Sequence, residues 1–567
     1  MAIAKKDEHG EEWRLGIELS DDHEHEDEAV EGAAEAAHDL SGERLERPLH
    51  VVTAENLGWA AIAAYAAITR LLALGARPLD GVEAGHALYS FDVASPGSSL
   101  AAGFEPSFGG WVHLLTAGGF AVGGANDVTA RLLFALSGLL LIAMAFELRH
   151  YIGRAGGLAL GAMIALSPSI TYYSRASATA TPAIALALVT VAVFMALKSR
   201  PSRRRAAALG LFAGLMMAAD PMGLATAIIF VAALIPIGLW DAVTGKNVFL
   251  SVRVWLDRYS SQLVAVIVTA AAVWAVSQMM IPGGLSANGI TRSWPSIAGT
   301  GASFTAGLHR CAPVLALYEF MIGITAVFGA LMIVTLNVRS RFAAWALIWA
   351  ALSSGYFCWT ATTGDGGSIL GMLIPAAVVG AIGLNWLHHS EGWRLVRIPL
   401  AAIAALTLYV GTVANFVWCA PDASEAPWSR HANLFWGEKA TTEQARIYAR
   451  QAASGIAPVN ATVNFDDKIG APLHWYLRNL RPIANADGAT VVVSKAGAPT
   501  NGPPLVANYH FDEAEGWIPN FSKGRAGEVI RFLLGGRIWG AVTSNDVAIL
   551  VRKPAGSAPT VILTPGE

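Results

Sequence analysis

Long stretches of the chain are apolar throughout, without the polar positions that would mark one face of a surface helix. Three of them run for about twenty residues with at most one charged side chain: Leu263–Ile281, Val314–Leu336 and Ile398–Trp418. A helix of about twenty residues crosses the hydrocarbon core of a bilayer, and its internal hydrogen bonds satisfy the backbone there. Such stretches recur from a first span at about 53–75 and predict an α-helical polytopic membrane protein with about eleven transmembrane helices.

One apolar segment, residues 105–125, does not fit this pattern. It contains Glu105, Pro106, His113 and many glycines, which make it a poor spanning helix. Counting it as a crossing would also move every later basic loop to the opposite side of the membrane. We therefore expect a re-entrant or interfacial helix here.

The pattern changes at about residue 420, where shorter elements alternate with Gly, Pro and Asn. Strands are expected at Ala461–Asp466, Thr490–Ser494, Val506–His510 and Val547–Arg552, and helices at Thr442–Ala453 and Pro472–Leu480. These elements predict a soluble C-terminal α/β domain. The predicted organisation is an acidic tail at 1–48, a transmembrane domain at 49–419 with its first outer loop at 76–127, and this domain at 420–567.

Composition agrees with a membrane protein. The chain is 54% hydrophobic and only 14% charged, whereas soluble domains carry about 25% charged residues. The first 48 residues are the exception, with sixteen acidic and five basic side chains, and they predict a disordered tail. Alternating His and acidic residues at 21–28 leave a divalent metal as the alternative.

Basic residues between the spans indicate the orientation, because they concentrate in cytoplasmic loops. Fourteen fall on the side of the tail: Arg149, Arg154, Lys198, Arg200, Arg203, Arg204, Arg205, Lys246, Arg253, Arg258, Arg339, Arg341, Arg394 and Arg397. Five fall on the other side: Arg77, Arg131, Arg175, Arg292 and Arg310. The bias predicts a cytoplasmic N-terminus and an extracytoplasmic C-terminal domain.

Candidate chemistry lies in the first outer loop, where Arg77, Asp80, Glu83 and His86 follow one another at intervals of three. On a helical turn these side chains share one face. A carboxylate there is suited to act as a general base on a hydroxyl, while Arg and His hold an anionic leaving group. The alternative is an interfacial helix whose charges are merely solvated. The chain has no Walker loop, zinc-ligand spacing or Gly-x-Ser-x-Gly, so ATP-driven transport and serine hydrolysis have no support.

Four segments resemble the GT-C superfamily of membrane glycosyltransferases, and most of all the predicted membrane-bound mannosyltransferases associated with archaeal flippase activity. The segments are Leu74–Ala87, Thr129–Leu140, Ser167–Arg175 and Lys468–Asn479, the last with a Trp-Tyr-Leu-Arg signature. They occur in order across about 55–553. The resemblance implies sugar transfer from a polyprenyl-phosphate donor to an acceptor hydroxyl at the outer membrane face.

The resemblance also implies roles for single residues. An acid of the first outer loop is the catalytic base, which points to Glu83 with Asp80 and His86 beside it. Arg175 and Arg77 are the implied donor phosphate-binding residues. The first acid of the family's pair is Val82 here, so Glu83, Asp80 or Glu105 would have to act as the base. Two further positions are candidates for the same cleft, Glu105 and Asp365.

Three functions stay open at this stage. The first is an active transferase, the second a catalytically silent relative that serves as a scaffold or accessory subunit, and the third a lipid flippase or transporter. The expected partners are the lipid bilayer, a polyprenyl-phosphate sugar and, as an option, other membrane subunits, but no nucleic acid. No cofactor is expected, with a divalent metal left open, and the expected location is the plasma membrane. A lipid-sized groove that reaches Glu83 would favour the enzyme.

Overall fold

The fold is taken from a computed structural model. It describes residues 53–95, 106, 108–243, 248–281, 315–316, 318–335, 340–360, 366–390, 393–417, 440–441, 446, 462–465, 471–484, 489–495, 505–512 and 545–551. The predicted acidic tail lies outside these residues, and so does nearly all of the helix predicted at Thr442–Ala453. The described residues from Gly58 onward belong to one compact unit.

Helices dominate the described residues before 420. In chain order they are α1 Ala54–Leu71, α2 Gly81–Ala94, α3 Gly110–Gly123, α4 Asp127–Ile152, α5 Arg154–Leu166, α6 Pro168–Arg175, α7 Ala180–Ser199, α8 Arg203–Ala219, α9 Pro221–Ala232, α10 Leu234–Val243, α11 Val248–Met279, α12 Phe320–Thr335, α13 Arg341–Thr360, α14 Leu370–His388 and α15 Trp393–Val417. A short 3-10 helix, Gly366–Ile369, precedes α14.

Seven helical segments within the described residues are long and apolar enough to cross a membrane. They are Asp127–Ile152, Ala180–Ser199, Pro221–Trp240, Tyr259–Met279, Arg341–Thr360, Leu370–His388 and Val396–Val413. The bent pair α5–α6, with a 60° angle at Ser167, makes an eighth if it is one span. The sequence estimate of about eleven also counts α1, α8 and α12, which have 18, 17 and 16 residues. The chain is thus a polytopic membrane protein.

Close helix packing in the membrane domain depends on small residues, as at other membrane interfaces. Where α12 crosses α14, a Cβ added to Gly329 would lie 2.2 Å from the carbonyl oxygen of Val379. A Cβ on Gly383 would meet the Gly329 backbone at 2.5 Å. Glycine at both positions therefore lets the two backbones touch.

Helix α3 occupies the segment predicted to be re-entrant or interfacial. It has 14 residues and is about 21 Å long, well short of the roughly 30 Å hydrocarbon core. Its N-terminus follows Gly109, which has a left-handed backbone with φ of 85°. The helix packs against α2 and α4 and does not cross the membrane domain by its own length.

The C-terminal region contains a six-stranded mixed sheet. Its strands are β1 Ala440–Thr441, β2 Thr462–Phe465, β3 Arg481–Pro482, β4 Val491–Lys495, β5 Leu505–Asp512 and β6 Asn545–Val551, with helix α16 Ala471–Tyr476 between β2 and β3. The order is β1-β5-β6-β4-β2-β3. Strand β2 pairs in parallel with β3 and β4, while β4–β6, β6–β5 and β5–β1 are antiparallel. The four predicted strands correspond to β2, β4, β5 and β6, and the second predicted helix corresponds to α16, so these predictions are confirmed. Strands β1 and β3 were not predicted, because two residues are too few to show a hydrophobic period.

Helix α16 packs directly on the loop and helix that follow α1. Leu473 and Trp475 share one buried apolar cluster with Leu79, Ala84 and Leu88. All five side chains are almost fully buried, which removes their apolar surface from water and stabilises the contact. The C-terminal domain is therefore anchored beside the predicted site.

Candidate functional site

The loop between α1 and α2 ends in a capping box. The Asp80 carboxylate oxygen Oδ1 accepts a hydrogen bond from the backbone N–H of Glu83 at 2.8 Å. In return Glu83 Oε2 accepts from the backbone N–H of Asp80 at 3.0 Å. This reciprocal arrangement satisfies two amides at the start of α2. Arg77 joins the pair, with its Nη2 3.0 Å from Glu83 Oε2 and 3.9 Å from Asp80 Oδ2.

Arg131 of α4 is the second cation at Glu83. Its Nε and Nη2 donate to the two carboxylate oxygens of Glu83, both at 2.7 Å. Its remaining hydrogen bonds go to the carbonyl oxygens of Leu74, Arg77 and Pro78, at 2.7 to 3.0 Å. A guanidinium suits this task because its five N–H donors form a rigid fork. Arg131 therefore ties α4 to the loop and to the first turn of α2 at once.

Glu83 is enclosed by donors. Besides Arg131, Arg77 and the Asp80 amide, the backbone N–H of Ser177 donates to Oε1 at 3.1 Å, and the residue is 1% exposed. Burial would raise the pKa of Glu83, but the charges of Arg131 and Arg77 outweigh it and lower the pKa to about 2. A general base works best with a pKa near the operating pH. The catalytic role expected for Glu83 stays a prediction, and its contacts fit an organising role.

Arg77 is held by both ion pairing and an aromatic ring. Its guanidinium carbon lies 4.6 Å from the ring centroid of Tyr172 in α6, a cation–π contact. Burial alone would lower the pKa of Arg77, but Tyr172 and the carboxylates of Glu83 and Asp80 outweigh it, so its pKa is raised. The side chain is a permanent positive charge.

Arg175, at the end of α6, caps the C-terminus of α1. Its Nη1 donates to the carbonyl oxygens of Thr69 and Leu72, both at 2.8 Å, and its Nη2 to that of Ala73 at 2.9 Å. Ala73, two residues beyond the end of α1, has a left-handed φ of 48°. A cation at this position satisfies helix carbonyls and interacts favourably with the helix dipole.

A small cavity opens among these side chains. Its lining residues are Leu74, Arg77, Arg131, Tyr172 and Arg175. We call the three arginines the arginine cluster. These three are the charged residues that line the cavity, so the cavity favours an anion. Guanidinium forks match the oxygen atoms of a phosphate in geometry as well as charge.

His86 lies on another side of α2, away from the arginine cluster. It stacks on His113 of α3 with ring centroids 4.3 Å apart. Its Nε2 lies 3.1 Å from Thr116 Oγ1, and Ser90 Oγ lies 3.3 Å from His113 Nδ1. Burial lowers the pKa of both histidines, that of His113 to about 3. The structure thus separates His86 from Asp80 and Glu83, and the pair of rings is neutral at physiological pH.

The remaining predicted positions are Glu105, Asp365 and Val82. Glu105 and Asp365 lie outside the described residues. Val82, where the resemblance expects an acid, is 39% exposed, whereas Asp80 and Glu83 are buried. Within the described ranges, no three His, Cys, Asp or Glu side chains gather as metal ligands would.

Sequence reasoning missed Arg131, Tyr172 and Asp127 as parts of the site. Arg131 counted only as a charge outside the membrane, although it stands in the Thr-Ala-Arg segment of the resemblance. Tyr172 likewise stands in the segment that supplied Arg175. Arginine inside a helix that otherwise reads as membrane-spanning is costly unless it is paired, and this was the signal that could have identified Arg131.

Comparison with solved structures identifies the fold. ArnT from Cupriavidus metallidurans in its apo state aligns with a TM-score of 0.52 and 16% identity, over 76% of this chain and 87% of that one. ArnT bound to undecaprenyl phosphate aligns with a TM-score of 0.56 and 14% identity, over 86% and 97%. Archaeoglobus fulgidus AglB aligns at 0.48 and 12%, over 77% and 69%. No family model matches the sequence, and no curated protein matches it significantly.

The alignment with ArnT covers most of both chains, so the likeness extends to the whole architecture. The chain has the GT-C fold: a bundle of membrane-spanning helices followed by a C-terminal α/β domain. The predicted fold class is confirmed. Because sequence identity is low, the comparison establishes the fold and leaves the activity to be argued from the site.

Proposed function

We propose that this protein is a GT-C-type glycosyltransferase that takes a sugar from a polyprenyl-phosphate donor and transfers it to an acceptor hydroxyl. The observation that carries the proposal is the arginine cluster around a small cavity next to α2. Three buried guanidinium groups that line one cavity, with no carboxylate among its lining residues, are suited to a phosphate. A structural neighbour, ArnT, has been solved with undecaprenyl phosphate bound.

In this proposal the arginines have different tasks. Arg77 and Arg175 face the cavity and bind the donor phosphate, as the resemblance implies. Arg131 spends its hydrogen bonds on Glu83 and on three loop carbonyl oxygens, so it fixes the loop that carries Arg77. Positive charge placed before the reaction stabilises the phosphate that leaves as the glycosidic bond forms.

Two hypotheses remain for the catalytic base. As predicted from sequence, Glu83 takes the acceptor's proton, with Asp80 and His86 close by in the chain. The contacts around Glu83 favour a different division, in which Glu83 organises the arginine cluster and another group receives the proton. Asp80 caps α2 through the backbone N–H of Glu83, and His86 contacts α3.

The catalytically silent relative is the second candidate function. It is favoured by Val82, which replaces an acid, and by the small size of the cavity beside Glu83. Such a protein would hold a lipid phosphate, or a partner subunit of a membrane assembly, without transferring sugar.

We further propose the orientation given by the basic loops, with the C-terminal domain outside the plasma membrane and the N-terminus in the cytoplasm. Cysteine labelling from outside tests it. Positions engineered near Asn460 should react, and a position near Arg203 should not. The opposite pattern would reverse the orientation and place the arginine cluster on the cytoplasmic side.

A transfer assay tests the function itself. Membranes containing the protein are incubated with radiolabelled polyprenyl-phosphate sugars, mannose first because of the family resemblance, and transfer is compared for the wild type and Glu83→Gln. If Glu83 is the base, kcat falls by about 10²–10⁴-fold with donor KM unchanged. If it organises the arginines, donor KM rises as well.

Glu147→Gln is the matched control, because Glu147 is an exposed acid of α4 on the helix that carries Arg131. It should leave transfer unchanged. Absence of transfer from every donor, in a wild type that binds polyprenyl phosphate, would decide for the silent relative.

A further inference from the structure

Asp127, the first residue of α4, is the point where the C-terminal domain meets the membrane domain. It is 3% exposed. Its Oδ1 accepts a hydrogen bond from the indole N–H of Trp475 at 2.9 Å. Its Oδ2 accepts from the hydroxyl of Tyr476 and from Nη1 of Arg446, both at 3.3 Å. A carboxylate at a helix N-terminus is also stabilised by the helix dipole.

Tyr476 makes a second contact that reaches the site. Its hydroxyl oxygen accepts a hydrogen bond from the backbone N–H of Leu79 at 2.8 Å. The hydroxyl thus donates to Asp127 and accepts from Leu79 at the same time. Burial raises the pKa of Tyr476, so the hydroxyl keeps the proton it donates.

Leu79 lies between the two residues that connect the loop to the arginine cluster. Before it, the carbonyl oxygen of Pro78 accepts from Arg131 at 2.9 Å. After it, Asp80 forms the capping box with Glu83. The backbone at Leu79 is therefore fixed from the C-terminal domain, while its neighbours are fixed from α4.

The apolar contacts around this hydroxyl make the connection specific. Trp475 is fully buried in the cluster it shares with Leu79, and the guanidinium of Arg478 lies 3.9 Å from a Trp475 ring centroid. Arg478 also donates to the carbonyl oxygen of Ala125, just before α4. Removing one hydroxyl should leave this packing in place, so its effect can be measured separately.

We propose that Tyr476 is a positioning residue: its hydroxyl, held by Asp127, fixes the Leu79–Glu83 segment and thereby sets the arginine cluster for the phosphate of a polyprenyl donor. The ligand in this proposal, a polyprenyl phosphate, rests on the proposed function. The coupling between the two domains through Tyr476 does not. It gives the Trp-Tyr-Leu-Arg signature of the C-terminal domain a task at the membrane site.

Hydrogen–deuterium exchange on the full-length protein in detergent tests the coupling without a ligand. In Tyr476→Phe, amides of peptides covering residues 77–90 should exchange up to about tenfold faster, the effect of losing one buried hydrogen bond. Peptides from α7 should be unchanged. Tyr65→Phe is the matched control, because the Tyr65 hydroxyl contacts Thr412 and Asn415 at 3.3 and 3.2 Å, between α1 and α15.

The second measurement is affinity for undecaprenyl phosphate. Tyr476→Phe should weaken it by up to about tenfold, and Tyr65→Phe should not. Unchanged exchange in residues 77–90 would overturn the coupling. Faster exchange there with wild-type affinity would overturn the positioning role. If the wild type itself does not bind undecaprenyl phosphate, the proposed function fails, whereas the exchange result still decides whether Tyr476 holds the segment.

Discussion

The charged groups around Glu83 in helix α2 and the histidine pair that His86 of α2 forms with His113 of α3 respond to burial in opposite ways. Glu83 keeps its charge and is surrounded by two arginines and two backbone amides. His86 and His113 are neutral, stack on each other, and leave Nδ1 of His86 buried without a hydrogen bond in the described structure. A buried charge is costly unless it is paired, but a neutral ring tolerates a missing partner at smaller cost.

The two sides of α2 should therefore respond differently to substitution. Around Glu83, the stability of the fold depends on several charged residues together, because each buried charge is neutralised by an opposite charge beside it. The histidine side depends mainly on the shape and contacts of two rings. Substitutions should therefore be severe and non-additive around Glu83, and mild around His113.

The largest effect is expected for Arg131→Met. It removes two hydrogen bonds from Glu83 and three from the loop carbonyl oxygens, and it leaves a buried carboxylate with less compensation. Breaking one side of a buried ion pair costs about 3–5 kcal/mol, and the melting temperature in detergent should fall accordingly. The double variant Arg131→Met/Glu83→Gln should be more stable than Arg131→Met alone. Simple addition of the two single effects would show that the residues do not act as a unit.

An intermediate effect is expected from acid. Below about pH 6.5 an unfolded chain takes up protons on His86 and His113, whereas burial lowers the pKa of both in the folded protein. As the pH falls from 6.5 to 5.5, the two histidines together should therefore lower the free energy of unfolding by about 3 kcal/mol, about 1.4 kcal/mol per pH unit for each. Below about 4.5 Glu83 adds to the loss, because its folded pKa is about 2. Melting temperatures from pH 7.5 to 3.5 measure both contributions.

The acid response has a direct control. His113→Phe removes one of the two titrating rings, so its melting temperature should fall less steeply than that of the wild type between pH 6.5 and 5. Equal slopes for the two proteins would mean that other groups produce the response.

The smallest effect is expected for His113→Phe at pH 7.5. The ring is neutral there, and the change removes chiefly one hydrogen bond with Ser90, worth about 1 kcal/mol. The melting temperature should change much less than in Arg131→Met. A loss as large as that of Arg131→Met would show that His113 carries a charge or binds a ligand.

The sequence predicted the fold class well because hydrophobic length and period are properties of each segment. The short helix α3 and the strands β2, β4, β5 and β6 follow from local patterns.

The site was predictable only in part. The spacing of Arg77, Asp80 and Glu83 indicated their proximity, but it also placed His86 with them, since spacing alone does not say which neighbouring helix each side chain meets. The role of Arg131, 48 residues from Glu83, and that of Tyr476, 397 residues from Leu79, arise from tertiary packing. No local pattern contains that information.

The central claim is that the arginine cluster recognises the phosphate of a polyprenyl lipid. The most direct test compares the affinity of the purified protein for undecaprenyl phosphate and for undecaprenol, which share the same hydrocarbon chain. The wild type should bind the phosphate at least about tenfold more tightly, and Arg175→Lys, which keeps the charge but loses the fork, should reduce that preference. Equal affinity of the wild type for the two lipids would contradict the claim.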